Sequence, residues 1–167
     1  VMFVSDVSVS RREYFGKNCQ LYGVDIEVGC KNFENKYTKV FIGDQSDRRF
    51  WGDFKDQTPP FDVIIDDGGH QTEQQIITLE ELLPKLRPGG IYVCEDILGE
   101  YNGFSSYMYG LISNLNVCRD TSHEFQSWIR SVHFYPYMTV IEKAEQPLQK
   151  LSSRSQGTEW LSLISFK

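Results

Sequence analysis

The alternation of apolar and polar residues between positions 61 and 96 predicts a strand, a helix and a second strand. The runs 61–65 and 91–94 are apolar, rich in β-branched and aromatic residues, and too short to form helices. Both are therefore predicted as buried strands. A helix that connects two such strands makes them parallel neighbours with a right-handed crossover.

Apolar residues recur at helical spacing between these two strands and predict an amphipathic helix. The apolar stripe comprises Ile76, Leu79, Leu83 and Leu86, and the side predicted to face water comprises Glu73, Gln75, Glu80 and Lys85. Pro84 lies late in this stretch, so we expect a kink or an early stop there. Residues 88–90 are predicted as the turn into the second strand.

The same patterning predicts further elements on both sides of this unit. Strands are predicted at 1–4, 20–26 and 39–42, a short helix at 48–54, and a hairpin formed by 132–135 and 138–142. Antiparallel strands are often appended to parallel sheets. The sequence therefore predicts an α/β, Rossmann-like, doubly wound and mostly parallel sheet with an antiparallel C-terminal hairpin strand, organised as a single domain over residues 1–167.

Aromatic residues and glycines interleave after position 96. The aromatic residues are Tyr101, Phe104, Tyr107 and Tyr109, and the glycines are Gly99, Gly103 and Gly110. Rings beside glycine hinges suggest a mobile lid over an apolar or sugar-like substrate. The alternative is ordinary helix packing, through Met108, Leu111, Ile112 and Leu115.

Acidic residues follow both strands of the 61–96 unit. Asp66, Asp67 and His70 come after the first strand, and Glu95 and Asp96 after the second. Ligands bind at the carboxyl ends of parallel strands, because the loops diverge there. Crowded carboxylates repel one another, and oxygen ligands at this density suit magnesium, calcium or manganese. The alternative is that these acids are solvated loop residues.

Two earlier strand ends carry candidate cofactor-binding residues. Asp25 follows the second strand, where related folds bind the two hydroxyls of a ribose. Asp44 could meet an adenine amine, and Gln45 offers both a donor and an acceptor. Equally, Asp44 could form an Asx turn before the helix that follows. Residues 5–10, after the first strand, contain no glycine, although phosphate-cradling turns need one.

Composition narrows the class of partner and compartment. The net charge of -6 argues against a nucleic acid or an anionic membrane as the main partner, since either requires clustered Lys and Arg. Four cysteines are scattered without the spacing of a zinc site or a disulfide framework. The first ten residues do not resemble a signal peptide, and no apolar run approaches the length of a transmembrane helix. A reducing, cytoplasmic location is expected.

Five segments together resemble a known family. They are GVDI at 23–26, GDQSD at 43–47, DDGGH at 66–70, LRPGGIYVCED at 86–96 and HFYPYMTVIEK at 133–143. The resemblance is to the class I S-adenosylmethionine-dependent O-methyltransferases of the macrolide-sugar type, which include the macrocin and mycinamicin methyltransferases and proteins often labelled cephalosporin hydroxylases. It extends over roughly residues 14–143, and the DDGGH and ED motifs are its most specific part. The resemblance implies the class I methyltransferase fold, and residues 4–10 stand where the family has a glycine-rich turn.

The family's functional residues can be carried over position by position. The resemblance implies Asp67, Glu95 and Asp96 as magnesium ligands, His70 as the general base, and Asp25, Asp44, Gln45 and Asp66 as cofactor-binding residues. The implied cofactors are S-adenosylmethionine and Mg²⁺. The implied partner is a sugar or another small natural product with a free hydroxyl; homo-oligomer formation is left open.

The leading hypothesis is magnesium-assisted transfer of a methyl group to a hydroxyl. The protein would align the oxygen with the methyl group, and a histidine can accept the proton at neutral pH. The alternative is a non-catalytic or truncated methyltransferase-fold chain that binds no cofactor. A nicotinamide-dependent dehydrogenase would need a glycine fingerprint that is absent, and a metal-dependent hydrolase would leave Asp25 without a role.

Overall fold

A computed structural model of the chain describes residues 2–4, 14–99, 102–115 and 124–147. The strands are β1 (Met2–Val4), β2 (Leu21–Asp25), β3 (Thr38–Ile42), β4 (Phe61–Asp66), β5 (Leu86–Cys94), β6 (Ile129–Tyr135) and β7 (Met138–Lys143). The α-helices are α1 (Arg48–Asp56), α2 (Thr72–Leu82), α3 (Gly103–Leu115) and α4 (Glu124–Ser127), and a 3₁₀ helix spans Val28–Phe33.

These strands form one sheet in the order β3-β2-β1-β4-β5-β7-β6. Strands β1 to β5 pair in parallel, whereas β7 is antiparallel to β5 and β6 is antiparallel to β7. The predicted α/β fold, with a mostly parallel sheet and an antiparallel C-terminal hairpin, is confirmed. The single-domain organisation of the whole chain stays a prediction.

The register of the sheet aligns the strand ends that carry the candidate site. Val4, the last residue of β1, pairs with Val24 on one side and with Asp66 on the other. Asp66 in turn pairs with Cys94, the last residue of β5. The loops after β2, β4 and β5 therefore leave the sheet at the same edge, on either side of the central strand β1. Residues 5–13, which follow β1, lie outside the described part of the chain.

Helix α1 holds the loop after β3 against the core. Its Trp51 is fully buried and donates a hydrogen bond from Nε1 to the carbonyl of Gln45, at 2.8 Å. Asp47 caps the helix by accepting a hydrogen bond from the backbone N–H of Arg49, at 2.8 Å. Gly43 allows a close approach, because a Cβ there would lie 2.1 Å from the ring of Phe50. The loop that carries Asp44 and Gln45 is thus fixed at both ends.

Helix α2 differs from its predicted pattern on one side. It ends at Leu82, before Pro84, as predicted, and Leu79 and Leu83 are buried. Gln75, however, is 1% exposed, so the prediction that it faces water is wrong. The physical reason is that α2 packs against α1 and α3 as well as against the sheet. Its buried face is therefore wider than a single apolar stripe.

Strand β5 begins earlier than predicted. Leu86 is its first residue rather than the last residue of the helical stripe. Residues 88–90 lie within this strand, at an irregularity in its pairing with β4 between Phe61 and Val63. Residues 88–90 therefore distort the strand locally instead of forming the turn that was predicted there.

Helix α3 is held by ordinary packing. Phe104 and Met108 are fully buried and Leu111 nearly so, while the hydroxyl of Tyr107 donates a hydrogen bond to Glu80 Oε1 of α2, at 2.9 Å. The packing alternative therefore accounts for Phe104 and Tyr107 of the predicted lid, whereas Tyr109 is exposed and Tyr101 lies outside the described residues. Within the described residues, no helix is both long enough and apolar enough to cross a bilayer.

Candidate active site

The loop after β4 and the loop after β5 bring three side chains together. One ligand atom each from Asp67, His70 and Asp96 lies within 4.8 Å of the others. The Nε2 atom of His70 is 3.7 Å from Oδ2 of Asp96. These three residues come from two segments of the chain that meet because β4 and β5 are parallel neighbours.

Glu95, which the resemblance implies as a magnesium ligand, is not part of this group within the described residues. Its side chain is half-buried, and its backbone N–H donates to the carbonyl of Asp66 at 2.9 Å, which extends the pairing of β4 and β5 by one residue. Its predicted role as a magnesium ligand stays a prediction.

The backbone at Asp96 is held in an uncommon conformation. Its φ of +50° lies in the left-handed region, which costs a non-glycine residue about 1–3 kcal/mol. The next residue, Ile97, donates its backbone N–H to the carbonyl of Tyr137 at the β6–β7 turn, at 3.0 Å. The hairpin therefore secures the segment that carries the Asp96 carboxylate.

The chemistry of this donor set suits a hard divalent cation. Two carboxylates at this separation repel each other, and a cation between them would remove that repulsion. Carboxylate oxygens are the ligands that magnesium prefers, and it usually keeps several waters or substrate oxygens in its coordination sphere. The side chains of His70 and Asp96 are 37% and 57% exposed, so such a ligand can approach from solvent.

A cavity of about 250 Å³ lies beside this group, at the ends of β2, β3 and β4. Its size is close to the lower end of the roughly 300–1,000 Å³ range of small-molecule sites. The lining residues are Val24, Asp25, Ile26, Gly43, Asp44, Gln45, Gly68, Gly69 and Gln74. Three of the four predicted cofactor-binding residues, Asp25, Asp44 and Gln45, are therefore at one cavity. Gly68 and Gly69, which also line it, lie between Asp67 and His70 in the chain.

Asp25 and Asp44 present their carboxylates differently. Asp25 Oδ1 accepts a hydrogen bond from the backbone N–H of Glu27, at 2.8 Å. Asp44 Oδ1 accepts from both the backbone N–H and the hydroxyl of Ser46, at 2.8 and 2.7 Å, and these bonds lower the pKa of the Asp44 carboxyl. The Asx turn that the sequence left open is therefore formed at Asp44, while the helix cap itself is Asp47.

The amide of Gln45 is directed into the protein. Its Nε2 donates to Asp66 Oδ1 and to Thr78 Oγ1, at 2.9 and 3.0 Å. Its Oε1 accepts from the backbone N–H of Gly69, at 2.7 Å. These bonds favour a role in holding the loop after β4 over a direct side-chain contact with a cofactor.

Asp66, the fourth predicted cofactor-binding residue, is buried and is not among the residues that line the cavity. Its carboxyl is 2% exposed and accepts hydrogen bonds from Gln45 and from the hydroxyl of Tyr92, at 2.9 Å each. Burial raises the pKa of Asp66 to about 7, against the opposing effect of the hydrogen bonds from Tyr92, Gln45 and the Gly68 N–H. We call the four buried side chains of Gln45, Asp66, Thr78 and Tyr92 the polar hub.

Two members of the polar hub, Thr78 and Tyr92, were not predicted as site residues. Thr78 stands on a helix and Tyr92 inside a strand, and both are fully buried. The sequence offers only a threonine between the apolar residues Ile77 and Leu79 as a signal. Its partner lies 33 positions away in the sequence, so the hydrogen bond could not be anticipated.

Comparison with known proteins places this site in a family context. Residues 13–97, about half of the chain, match the family described as "Methyltransferase domain". That match includes the cavity residues, the polar hub and the carboxylate–histidine group.

Curated relatives share sequence over part of their length. The chain is 30% identical over 153 residues to 8-demethyl-8-alpha-L-rhamnosyl tetracenomycin-C 2'-O-methyltransferase from Streptomyces olivaceus, which covers 79% of this chain and 39% of that protein. It is 40% identical over 81 residues to demethylmacrocin O-methyltransferase from Streptomyces fradiae, covering 48% of this chain and 20% of that protein. The chain thus spans well under half the length of these relatives.

Solved structures share the fold. MycE methyltransferase from the mycinamycin biosynthetic pathway superposes with a TM-score of 0.76 at 24% identity, over 86% of this chain and 44% of that one. That structure is a complex with Mg, SAH and mycinamycin VI.

Proposed function

Because this chain belongs to the methyltransferase-domain family, we propose that it is an S-adenosylmethionine-dependent, magnesium-assisted O-methyltransferase. Its acceptor would be a hydroxyl of a sugar or another small natural product. The names of its relatives support this class of acceptor, since they include a rhamnosyl tetracenomycin-C 2'-O-methyltransferase and a demethylmacrocin O-methyltransferase.

One observation carries the proposal: the cavity and the carboxylate–histidine group share the loop after β4. Gly68 and Gly69 line the cavity, while Asp67 and His70 on the same loop belong to the group. A cofactor in the cavity and an acceptor at the group would therefore meet across this turn. Such juxtaposition is the main requirement, because methyl transfer depends on aligning the acceptor oxygen with the methyl group.

Asp25 is proposed to bind the ribose of the cofactor. Its carboxylate lines the cavity, and one oxygen is fixed by the N–H of Glu27, which orients the other. Asp44 and the backbone of Gln45 form the neighbouring wall, where the adenine would lie. S-adenosylmethionine, when bound, supplies an electrophilic methyl group on a sulfonium.

His70 is proposed as the general base. It is partly exposed and lies beside Asp96, so its ring can reach a hydroxyl that approaches from solvent. Asp67 and Asp96 would hold the magnesium ion, with Glu95 as the further ligand that the resemblance implies. A divalent cation at this position would lower the pKa of a coordinated acceptor hydroxyl, as it does for water.

The compartment is a further part of the proposal. The three described cysteines, Cys19, Cys30 and Cys94, are free thiols. Free thiols persist where glutathione and thioredoxin keep proteins reduced, as in the cytoplasm. We therefore place the protein in the cytoplasm.

Titration with S-adenosylhomocysteine tests the cofactor site directly. We expect saturable heat with the unmodified chain, and an affinity reduced roughly 10- to 150-fold in Asp25→Ala, because hydrogen bonds to a charged group contribute about 1.5–3 kcal/mol. Isothermal titration calorimetry measures both. Glu27→Gln is the matched control, since Glu27 is an exposed acid two residues away that does not line the cavity.

Unchanged affinity in Asp25→Ala would remove Asp25 from the cofactor site. The absence of heat and of a thermal shift with the unmodified chain would instead favour a methyltransferase-fold chain that binds no cofactor.

A further inference from the structure

The turn between β6 and β7 carries an aromatic residue at a position unfavourable for it. Tyr135 and Met138 pair across the hairpin, and Pro136 and Tyr137 form the two-residue turn. Tyr137 has a φ of +62°. A positive φ at the third position of a turn usually selects Gly or Asn, and another residue there is strained. Tyr137 therefore weakens the turn that it occupies.

This turn lies next to the carboxylate–histidine group. The carbonyl of Tyr137 accepts the backbone N–H of Ile97 at 3.0 Å, and Ile97 directly follows Asp96. Tyr137 is 65% exposed. Leu98, which follows the donor Ile97 in the chain, is 56% exposed. Two large exposed side chains are thus tied to the Asp96 segment: Leu98 follows Asp96 by two residues, and Tyr137 is bonded through its carbonyl to Ile97.

We propose that Tyr137 and Leu98 form the acceptor-binding wall of the site, against which the sugar ring of a glycosylated acceptor packs. The inference rests on the proposed function and names residues for its acceptor. A pyranose presents its hydroxyls at the edge and C–H groups on its faces. An aromatic face attracts such groups, because its π system is negative. A ring packed on Tyr137 would direct its edge hydroxyls towards Asp96 and His70.

The position of Tyr137 distinguishes it from other exposed aromatic residues. Tyr109 on α3 is 73% exposed, yet it belongs to a helix that packs on α2. Single exposed apolar residues of this kind are common on protein surfaces. Tyr137 differs because an unfavourable backbone conformation, exposure and a direct link to the Asp96 segment coincide in one residue.

The test measures acceptor affinity separately from catalysis. The probe is mycinamycin VI, the molecule bound in the MycE complex. It is titrated into the whole chain saturated with Mg²⁺ and S-adenosylhomocysteine, and binding is followed by calorimetry. We expect Tyr137→Gly to weaken acceptor binding about tenfold, which corresponds to about 1.4 kcal/mol, the upper end of what an aromatic contact contributes. S-adenosylhomocysteine affinity stays within twofold of the unmodified chain. The variant should unfold at the same or a higher temperature, because glycine relieves the positive φ.

Two variants sharpen this result. Tyr137→Phe restores most of the affinity lost in Tyr137→Gly, because it retains the ring, and Tyr109→Ala removes an equally exposed ring without effect. Equal acceptor affinity in the unmodified chain and Tyr137→Gly overturns the inference, even where methyl transfer is observed. Conversely, acceptor binding that depends on Tyr137 with no methylated product upholds the inference and contradicts the proposed function.

Discussion

Asp67→Asn and Asp96→Asn should each reduce magnesium-dependent methyl transfer by about 1,000-fold or more in kcat/KM. Each change removes a negative charge from the pair of carboxylates that lies with His70 within 4.8 Å. A cation that stabilises the reacting oxygen contributes several kcal/mol, and about 4 kcal/mol corresponds to this factor. Asparagine also tolerates the left-handed backbone found at position 96. Asp96→Asn therefore alters the charge of the site and leaves the fold unchanged.

The measurement combines magnesium titration with initial rates in the presence and absence of a chelator. Asp62→Asn is the matched control, because Asp62 is an exposed acid of β4 whose carboxylate pairs with Arg87 at 3.0 Å, away from the site. An exposed ion pair of this kind contributes about 1 kcal/mol or less, so the control should retain its rate and its magnesium affinity. Full activity in a chelator, or in both site variants, would show that no cation assists the reaction.

The architecture was predictable because the sequence is locally consistent. Strands β4 and β5 are apolar runs bounded by turn residues, and the helical spacing between them forces a parallel pair. Their acidic ends then had to meet at one edge of the sheet. The strand-end rule therefore brings Asp67, His70 and Asp96 together from the sequence alone, and the structure groups them. Asp25, which lines the cavity, was predicted from its place after the second strand, but a lone acid there does not define a role, and the resemblance supported the prediction.

The errors lie where packing in three dimensions overrides the pattern in the chain. Gln75 is polar and was expected to face water, but α2 is covered by two helices besides the sheet, which buries its side chain. Leu86 fits the helical spacing, yet Pro84 ends the helix and leaves Leu86 to pair with Phe61. Periodicity describes one element at a time and carries no information on how many neighbours that element has.

The hydrogen bonds of the polar hub could not be predicted from the sequence, for a related reason. Gln45 was noted for the donor and acceptor that it could offer to a cofactor, and the structure uses both inside the protein. Its partners Asp66 and Thr78 lie 21 and 33 positions further along the chain. A glutamine with such partners has the same sequence signature as one that contacts a ligand. Only the fold separates the two.

Gln45→Leu should lower the affinity for S-adenosylhomocysteine roughly 100-fold and the free energy of unfolding by about 2–4 kcal/mol. Leucine fills a similar space but leaves the Gly69 N–H and the buried Asp66 carboxyl each without a partner that the structure gives them. A buried polar group that loses its partner costs about 1–3 kcal/mol. Because Gly69 lines the cavity and the same loop carries Asp67 and His70, magnesium affinity should fall as well.

Thr78→Val separates this positioning role from a loss of stability. It removes one hydrogen bond of the same amide, while Gln45 retains its bonds to Asp66 and to Gly69. We expect a destabilisation of about 1 kcal/mol, with S-adenosylhomocysteine affinity within about threefold of the unmodified chain. Chemical denaturation and calorimetry on both variants provide the comparison. If Gln45→Leu were destabilised but bound S-adenosylhomocysteine and magnesium normally, the polar hub would support the fold without positioning the loop after β4. A fall in affinity specific to Gln45→Leu means that the three bonds of this one amide hold the cavity and the carboxylate–histidine group in register.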